Sequence, residues 1–161
     1  MATKLSPTIT PFLWFNDNAE EAAAFYVSIF PNSKILSAAR RPPGVPGPEG
    51  AVLIVFFELD GVRFTAMNGG PGQTFDEAIS FVVACDTQQE IDHYWNALTA
   101  DGGAPIQCGW LKDKYGLRWQ IVPSRLPEYF ADTATAGRVM AQVMQMVKLD
   151  MAKMDAAAAG G

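Results

Sequence analysis

The feature that most constrains the fold of this chain is an imperfect internal repeat, which is clearest in two predicted β-hairpins. The later hairpin lies in residues 108–123 (CGWLKDKYGLRWQIVP), where turn-forming residues separate two short apolar runs. The earlier one lies in residues 58–67 (ELDGVRFTAM). In both, a glycine is followed by an aliphatic residue, an arginine, an aromatic residue and a polar residue. These glycines, Gly61 and Gly116, are 116 − 61 = 55 positions apart. The repeat predicts two related units.

A strand and a helix precede each hairpin, and they repeat as well. Residues 12–26 align with residues 81–95 at a separation of 81 − 12 = 69, which pairs Asp17 with Asp86. In each copy the aspartate follows a strand rich in β-formers. We expect the run Asn16, Asp17 and Asn18 to supply the N-cap of the first helix, and Asp86 to cap the second. The two separations differ by 69 − 55 = 14, which predicts an insertion in the first copy. The Pro/Gly-rich segment 41–50 (RPPGVPGPEG) is the natural place for it.

Both halves therefore have the predicted element order β-α-β-β-β. The first unit covers about residues 8–68, with strands expected at 8–15, 33–39, 51–59 and 62–67 and a helix at 19–30. The second covers about residues 77–123, with an opening strand expected at 79–84, a helix at 87–100 and then the hairpin.

Beyond Pro123 the pattern becomes helical. A short helical turn is expected at 125–133, followed by one long helix from 135 to about 156 that carries a stripe of Val and Met side chains. The predicted fold class is α+β: tandem βαβββ units forming a half-open mixed-sheet cleft, with a C-terminal helix. We expect a single domain over residues 1–161, in which a helical tail (about 125–156) follows the two units.

Composition and charge exclude several classes of function. The net charge of −5 and a single adjacent basic pair, Arg40-Arg41, argue against nucleic-acid binding. No apolar run approaches the roughly 20 residues of a membrane span, and the first residues lack the order of a signal peptide. Cys85 and Cys108 are too few for a disulfide scaffold. We therefore expect a cytoplasmic protein with no nucleic-acid or membrane partner.

The two β-α-β-β-β units, the DKYG turn and the run WQIVP resemble the vicinal oxygen chelate superfamily, the glyoxalase, bleomycin-resistance and dioxygenase group. The segments TPFLWFNDNAEEAAAFY, CGWLKDKYGLRWQIVP and RVMAQVMQMVKLDMAKM are similar to its PhnB-like branch, whose members carry the name 3-demethylubiquinone-9 3-methyltransferase. The resemblance implies that the two units together enclose a cleft and that the protein is a homodimer.

In metal-using members of the superfamily, His and Glu side chains from both units hold one divalent ion. The resemblance implies that the corresponding positions here are Thr10 (or its neighbour Pro11), Thr65, Ser80 and Gln120. None is a histidine or a carboxylate, and the one histidine, His93, falls on the second predicted helix. Neutral hydroxyls and an amide do not hold Zn²⁺, Ni²⁺ or Fe²⁺ tightly. We expect no metal site and no metal-dependent glyoxalase or dioxygenase activity.

The remaining polar and aromatic residues predict a pocket. Its polar groups are Thr10, Thr65, Ser80 and Gln120, and its walls are Phe12, Trp14, Met67, Trp110 and Trp119. The leading hypothesis is a metal-independent PhnB-like protein that binds a small organic molecule in the cleft and uses no cofactor. One alternative is an enzyme that transfers a methyl group to a quinone-type phenol, although residues 15–18 (FNDN) replace the glycine-rich turn of a methyltransferase. The other is a dimeric interaction module whose cleft is filled.

Overall fold

The computed structural model describes residues 7–160 and divides into two units, one ending at Thr74 and the next beginning at Phe75. The ends of the predicted 1–161 domain, and the start of the chain on which the signal-peptide argument rests, lie outside the described residues. Within residues 7–160, no helix is both long enough and apolar enough to cross a membrane.

The first unit is a four-stranded mixed sheet with one helix packed on it. Its elements are β1 (Phe12–Phe15), α1 (Ala19–Ile29), β2 (Lys34–Arg40), β3 (Val52–Leu59) and β4 (Val62–Asn68). The strand order is β1-β4-β3-β2, with β1 parallel to β4 and the other pairs antiparallel. Under α1, the ring of Tyr26 stacks 6.5 Å from Phe57, which stacks 5.3 Å from Phe64. This aromatic column forms the centre of the core of the unit.

The second unit repeats this arrangement with shorter strands. Its elements are β5 (Phe81–Cys85), α2 (Gln88–Thr99), β6 (Ala104–Pro105), β7 (Trp110–Lys112) and β8 (Arg118–Pro123). The order β5-β8-β7-β6 matches that of the first sheet, and β5 is again parallel to β8. The predicted α+β fold with tandem βαβββ units is therefore confirmed.

The strand pairing corrects the alignment of the two copies by one residue. Phe15 pairs with Asn68 and Cys85 pairs with Pro123, so the opening strands are separated by 85 − 15 = 70 and the closing strands by 123 − 68 = 55. The separation of 69 holds only from the helix N-caps onward, because the link between strand and helix is one residue shorter in the second unit.

The predicted N-cap of α2 was wrong by one residue. The cap of α1 is Asn18, the last residue of the predicted run 16–18, whereas the cap of α2 is Thr87 rather than Asp86. Thr87 accepts a hydrogen bond from the Glu90 amide, and the Glu90 carboxylate accepts one from the Asp86 amide. This exchange resembles a capping box, which explains why threonine is the cap of α2.

The expected 14-residue insertion is distributed between strands and loop. β2 and β3 have 7 and 8 residues, whereas β6 and β7 have 2 and 3. The first opening strand is shorter than predicted, because residues 7–9 form bends and β1 begins at Phe12. Pro11 precedes it, has no amide to donate, and uses its carbonyl to accept a hydrogen bond from Thr65 (3.0 Å).

Three helices follow β8, and the prediction of one long helix was wrong. They are α3 (Leu126–Tyr129), α4 (Thr133–Val143) and α5 (Met151–Ala158). The chain leaves the helix after Val143 because the Cys108 and Gly109 amides each donate to a carbonyl of this segment, Met146 and Val147, at 2.8 Å. Asp150 then caps α5 by accepting from the Lys153 amide. The buried side of these helices packs on Val122.

Candidate functional site

We use the term open face for the side of each sheet opposite its helix. α1 packs on β3 and β4, and α2 packs on β7 and β8. Side chains alternate between the two sides of a strand, so the buried Leu13 and Phe15 point toward α1 while Phe12 and Trp14 lie on the open face.

Two rows of side chains cross the open face of the first unit. In one row Phe12 lies beside Thr65, and Phe56 and Ser37 continue it. Phe12 is 55% exposed, whereas Thr65 is only 5% exposed. This row places one nearly buried hydroxyl between two aromatic rings.

The second row is apolar throughout. Trp14 lies beside Met67, and Ile54 and Ala39 continue the row toward the sheet edge. Sequence reasoning missed the contributions of Ile54 and Phe56, because β3 (VLIVFFEL) is apolar on both of its sides and gives no alternation. Together the two rows form an apolar floor with few polar groups, which is typical of small-molecule sites.

Trp14 is held in one position although it is 37% exposed. Its indole Nε1–H donates to the Gly70 carbonyl at 2.9 Å. The indole also lies against the backbone of Gly69, where an added Cβ would be 2.3 Å from Trp14 Cε2. Only glycine at position 69 permits this contact.

A charged row borders the apolar floor at the β3–β4 turn. Arg63 pairs across the strands with Glu58, and Lys34 lies on the other side of Glu58. The Arg63 Nε to Glu58 Oε2 distance is 3.8 Å, and the Arg63 side chain is 35% exposed. This end of the open face carries two positive charges and one negative charge.

The open face of the second unit is smaller and more polar. Gln120 lies between Val82 and Trp110, and its Nε2 donates to the Ser80 hydroxyl at 2.8 Å. The structure therefore brings three of the predicted site residues, Ser80, Trp110 and Gln120, to one surface. In the second unit, the positions that correspond to Phe12 and Trp14 carry the smaller side chains of Val82 and Ala84.

Two predicted site residues lie elsewhere. Thr10 is half-buried and precedes β1, so it belongs to neither of the two rows of the first unit. Trp119 is 3% exposed and lies on the helix side of β8, so it does not share the surface of Gln120. Its indole Nε1–H donates to the buried carboxylate of Asp113 at 2.9 Å. Alternation along β8 separates adjacent residues, and this overrides the expectation that both line one pocket.

The residues at the implied metal positions do not fit a divalent ion. Thr65, Ser80 and Gln120 offer hydroxyl and amide oxygens, and the Ser80 hydroxyl already accepts a hydrogen bond from Gln120. Among the described residues, no three His, Cys, Asp or Glu side chains come together in a way that could hold a metal ion. His93 is an exposed residue of α2 whose ring meets that of Tyr94 at 5.1 Å. Zn²⁺ and Fe²⁺ prefer imidazole, thiolate and carboxylate ligands, which are absent from these positions.

The Pro/Gly loop forms a second depression in the first unit, with a volume of about 620 Å³. Arg41 fixes the loop, because its guanidinium donates to the carbonyls of Pro46 and Asn68, the latter at 2.9 Å. The Asn68 amide group in turn accepts from the Ala19 amide (2.8 Å) and donates to the Val52 carbonyl (3.0 Å). These bonds hold the loop, the end of β4 and the start of α1 together.

The helical tail occupies the matching end of the second unit and leaves a depression of about 460 Å³. Gln88 donates to the Leu149 carbonyl and accepts from the Met151 amide, at 3.1 and 2.9 Å. Lys148 lies 2.5 Å from Asp92, and its hydrogen bond and charge hold the pKa of that carboxyl below its ordinary value. The tail is thus fixed to the first turns of α2.

Neither cysteine stands out as a nucleophile. Cys85 is buried, and its burial, with the nearby charges of Glu90 and Asp86, raises the pKa of the thiol to about 12. Cys108 is half-buried beside the cluster formed by the tail, and both cysteines are free thiols. A thiol with so high a pKa has little thiolate at neutral pH.

The chain is similar to proteins of one family and to several solved structures. Residues 7–122 match the family described as 3-demethylubiquinone-9 3-methyltransferase. A PhnB protein of Bacillus cereus with the same methyltransferase description is 38% identical over 71% of this chain and 98% of its own, with a TM-score of 0.65. Among curated proteins no match was found.

More distant similarities concern the fold alone. A Pseudomonas aeruginosa protein is 19% identical over 73% of this chain and 98% of its own, with a TM-score of 0.59. A variant of a fosfomycin resistance protein of Listeria monocytogenes, complexed with Mn(II) and a phosphonic acid, is 20% identical over 80% and 98%, with a TM-score of 0.54. The family match ends at Val122, so α3, α4 and α5 lie outside it.

Proposed function

This chain belongs to the 3-demethylubiquinone-9 3-methyltransferase family, the PhnB-like branch of the vicinal oxygen chelate superfamily, and from that premise we propose that it binds a small organic molecule without a metal ion. The binding surface is the open face of the first unit, with its apolar floor. Phe12, Trp14, Thr65 and Met67 take part in it.

The observation that carries this proposal is the chemistry of the implied metal positions. Thr65 is nearly buried between Phe12 and Phe56, and Gln120 is bonded to Ser80. Uncharged hydrogen-bonding groups in apolar surroundings are typical of sites that recognise hydroxyl or carbonyl groups of a small ligand. The same groups supply no charge for a divalent ion.

Methyl transfer to a quinone-type phenol is the second candidate, because the family description and that of the Bacillus cereus relative favour it. The chain gives it little further support. β1 is followed by Asn16, Asp17 and Asn18 instead of a glycine-rich turn, and the sheet that contains it is largely antiparallel. The usual nucleoside-binding arrangement requires that turn in a parallel sheet.

Homodimer formation is a separate part of the proposal. Met140 of α4 is 37% exposed, and Met144 and Val147, which follow the end of this helix, are 67% and 44% exposed. Contiguous apolar residues on a surface are typical of a subunit contact. Light scattering of the purified chain should give twice the monomer mass of 17.4 kDa, and the monomer mass would refute this part.

One experiment separates the candidate functions. The full chain is titrated calorimetrically with a panel of aromatic, quinone-like and antibiotic compounds, then with ZnCl₂, NiCl₂ and MnCl₂, and finally with S-adenosylmethionine. We expect saturable binding of at least one organic compound and no stoichiometric binding of the three metal ions. A panel without any binder would refute the proposal. Transfer of labelled methyl groups from S-adenosylmethionine to a phenol would establish the second candidate instead.

A further inference from the structure

We propose that Trp14 is the stacking platform for a planar, electron-poor, conjugated ring system of the ligand, such as that of a naphthoquinone. This inference rests on the small-molecule function proposed above and names the chemical class of that ligand. It depends on the way Trp14 is held, on its neighbours, and on a difference between the two units.

The indole is exposed and yet fixed, which is unusual for a surface side chain. The hydrogen bond from its Nε1–H to the Gly70 carbonyl sets the orientation of the ring, and the contact with Gly69 supports one of its sides. The Gly69 amide donates to the Phe15 carbonyl at 2.9 Å, so this support belongs to the sheet itself. A side chain already in its bound rotamer loses no conformational freedom when a ligand stacks on it.

The neighbours of Trp14 favour a flat, fused ring system. Phe12 lies two residues away on the same side of β1, and alternate residues of a strand are about 7 Å apart. Met67 lies beside Trp14 on the adjacent strand and adds a polarisable, half-buried side chain. A bicyclic ring therefore reaches both aromatic side chains at once.

The electronic preference follows from the indole. The face of an aromatic ring carries negative potential, and indole is electron-rich, so rings depleted of electrons stack on it most favourably. The second unit lacks such a surface, because Val82 and Ala84 take the positions of Phe12 and Trp14. The pair of aromatic side chains on the opening strand is thus found in the first unit and not in the second.

The test uses the full chain and two matched probes in calorimetric titrations. The first probe is 2,3-dimethyl-1,4-naphthoquinone, which is planar, and the second is its saturated decahydro-1,4-dione, which is not. We expect the quinone to bind at least tenfold more tightly than the dione. Trp14→Leu should weaken quinone binding about tenfold, whereas Phe130→Leu, at an exposed aromatic residue of the helical tail, should change it less than twofold.

A second variant moves the platform while it keeps the tryptophan. Gly69→Ala places a Cβ within 2.4 Å of two atoms of the Trp14 indole. Because Gly69 does not have a positive φ, alanine causes no backbone strain there, and the effect of the variant is the steric displacement of the indole. We expect about the same loss as for Trp14→Leu. Gly137→Ala is the control, because its Cβ meets nothing within 4 Å. Trp14→Phe, which keeps a ring, should retain binding within about threefold and serves if the other variants do not fold.

The possible failures have different meanings. Equal affinities for the two probes, or unchanged quinone binding in Trp14→Leu and Gly69→Ala, would overturn the stacking role and leave the small-molecule function in place. If neither probe binds while other compounds of the panel do, the aromatic ligand class is wrong. If nothing binds at all, this inference and the proposed function both fail.

Discussion

The two βαβββ units share a strand order, but they differ in how they hold the turn between the last two strands and the start of the helix. In the second unit the Asp113 carboxylate organises the turn, and Thr87 caps α2 locally. In the first unit a two-residue turn at Asp60 and Gly61 needs no such group, and α1 relies on Asn68 from β4. A duplicated fold can thus keep its topology while different residues satisfy the same backbone groups.

The loop and the tail show the same contrast. The end of the first sheet is closed by a loop that Arg41 holds in place, and the corresponding end of the second by the helical tail. As a result, the two open faces differ in how much of their surface is exposed. The helical tail covers Val122 in the second unit, whereas its counterpart in the first unit, Met67, remains partly exposed. This difference agrees with the proposal that the first unit provides most of the ligand surface.

The largest expected difference between the units concerns the hairpin turns. Asp113→Ala removes the carboxylate that accepts from the amides of Tyr115 and Leu117 and from the Trp119 indole, so each of these donors loses that hydrogen bond. We expect a loss of about 3–4 kcal/mol in the free energy of unfolding, measured by urea denaturation. The matched variant is Glu58→Ala, at the equivalent position 113 − 55 = 58. It loses only a 3.8 Å ion pair and should cost less than about 1 kcal/mol. Equal losses would contradict the contrast.

The next effect concerns the remote cap of α1. Asn68→Ala leaves the buried Ala19 amide and Val52 carbonyl without their partner, and we expect a loss of about 2 kcal/mol. Asn68→Asp keeps the acceptor for Ala19 but not the donor to Val52, so its loss should be smaller at neutral pH. If both variants unfold at the wild-type urea midpoint, Asn68 does not hold the start of α1.

A smaller effect is expected at the N-cap positions. Thr87→Ala removes the hydrogen bond to the Glu90 amide and should lower the free energy of unfolding by about 1 kcal/mol. Asn18 is the N-cap of α1, but its side chain makes no capping hydrogen bond. Asn18→Ala should therefore change the free energy of unfolding by less than about 0.5 kcal/mol. The reverse order of the two losses would show that Asn68 does not replace the local cap.

The smallest effect is a pH dependence confined to the second unit. Lys148 lowers the pKa of Asp92 in the folded protein below the pKa of about 4 that an aspartate has in the unfolded chain. The ion pair therefore stabilises the folded tail at pH values above about 4. This stabilisation is lost as the pH falls through the pKa of Asp92 in the folded protein. Because both side chains are about 40% exposed, we expect less than about 0.5 kcal/mol. Hydrogen exchange of the Cys108 and Gly109 amides, which bond to the tail, reports this change. Asp92→Asn should abolish it, and an unchanged pH profile in that variant would exclude Asp92 as its source.

The repeat, the order of elements along the chain and the DKYG turn were predictable because they depend on local patterns: alternating apolar residues, turn residues and an apolar helix stripe. The one-residue error in the strand alignment arose because a single separation was applied across the link before the helix, whose length differs between the copies. The break between α4 and α5 was missed because it depends on amides of Cys108 and Gly109, which are far away in sequence.

The candidate site was less predictable than the fold. Phe12, Trp14, Thr65 and Met67 do lie on one surface, as alternation in β1 and β4 implies. Trp119 was misplaced because its indole pairs with Asp113 on the other side of the strand. The fixed position of Trp14 depends on a contact with Gly69, which is 55 residues away and leaves no local sequence pattern.

The most direct test of ligand binding without a metal is one NMR titration of the ¹⁵N-labelled full chain, with ZnCl₂ added first and 2,3-dimethyl-1,4-naphthoquinone second. We predict that equimolar Zn²⁺ leaves the spectrum unchanged and that the quinone shifts the Trp14 indole signal together with amides of β1 and β4. Zn²⁺-dependent shifts centred on Thr65 and Gln120, with no response to the quinone, would contradict the account.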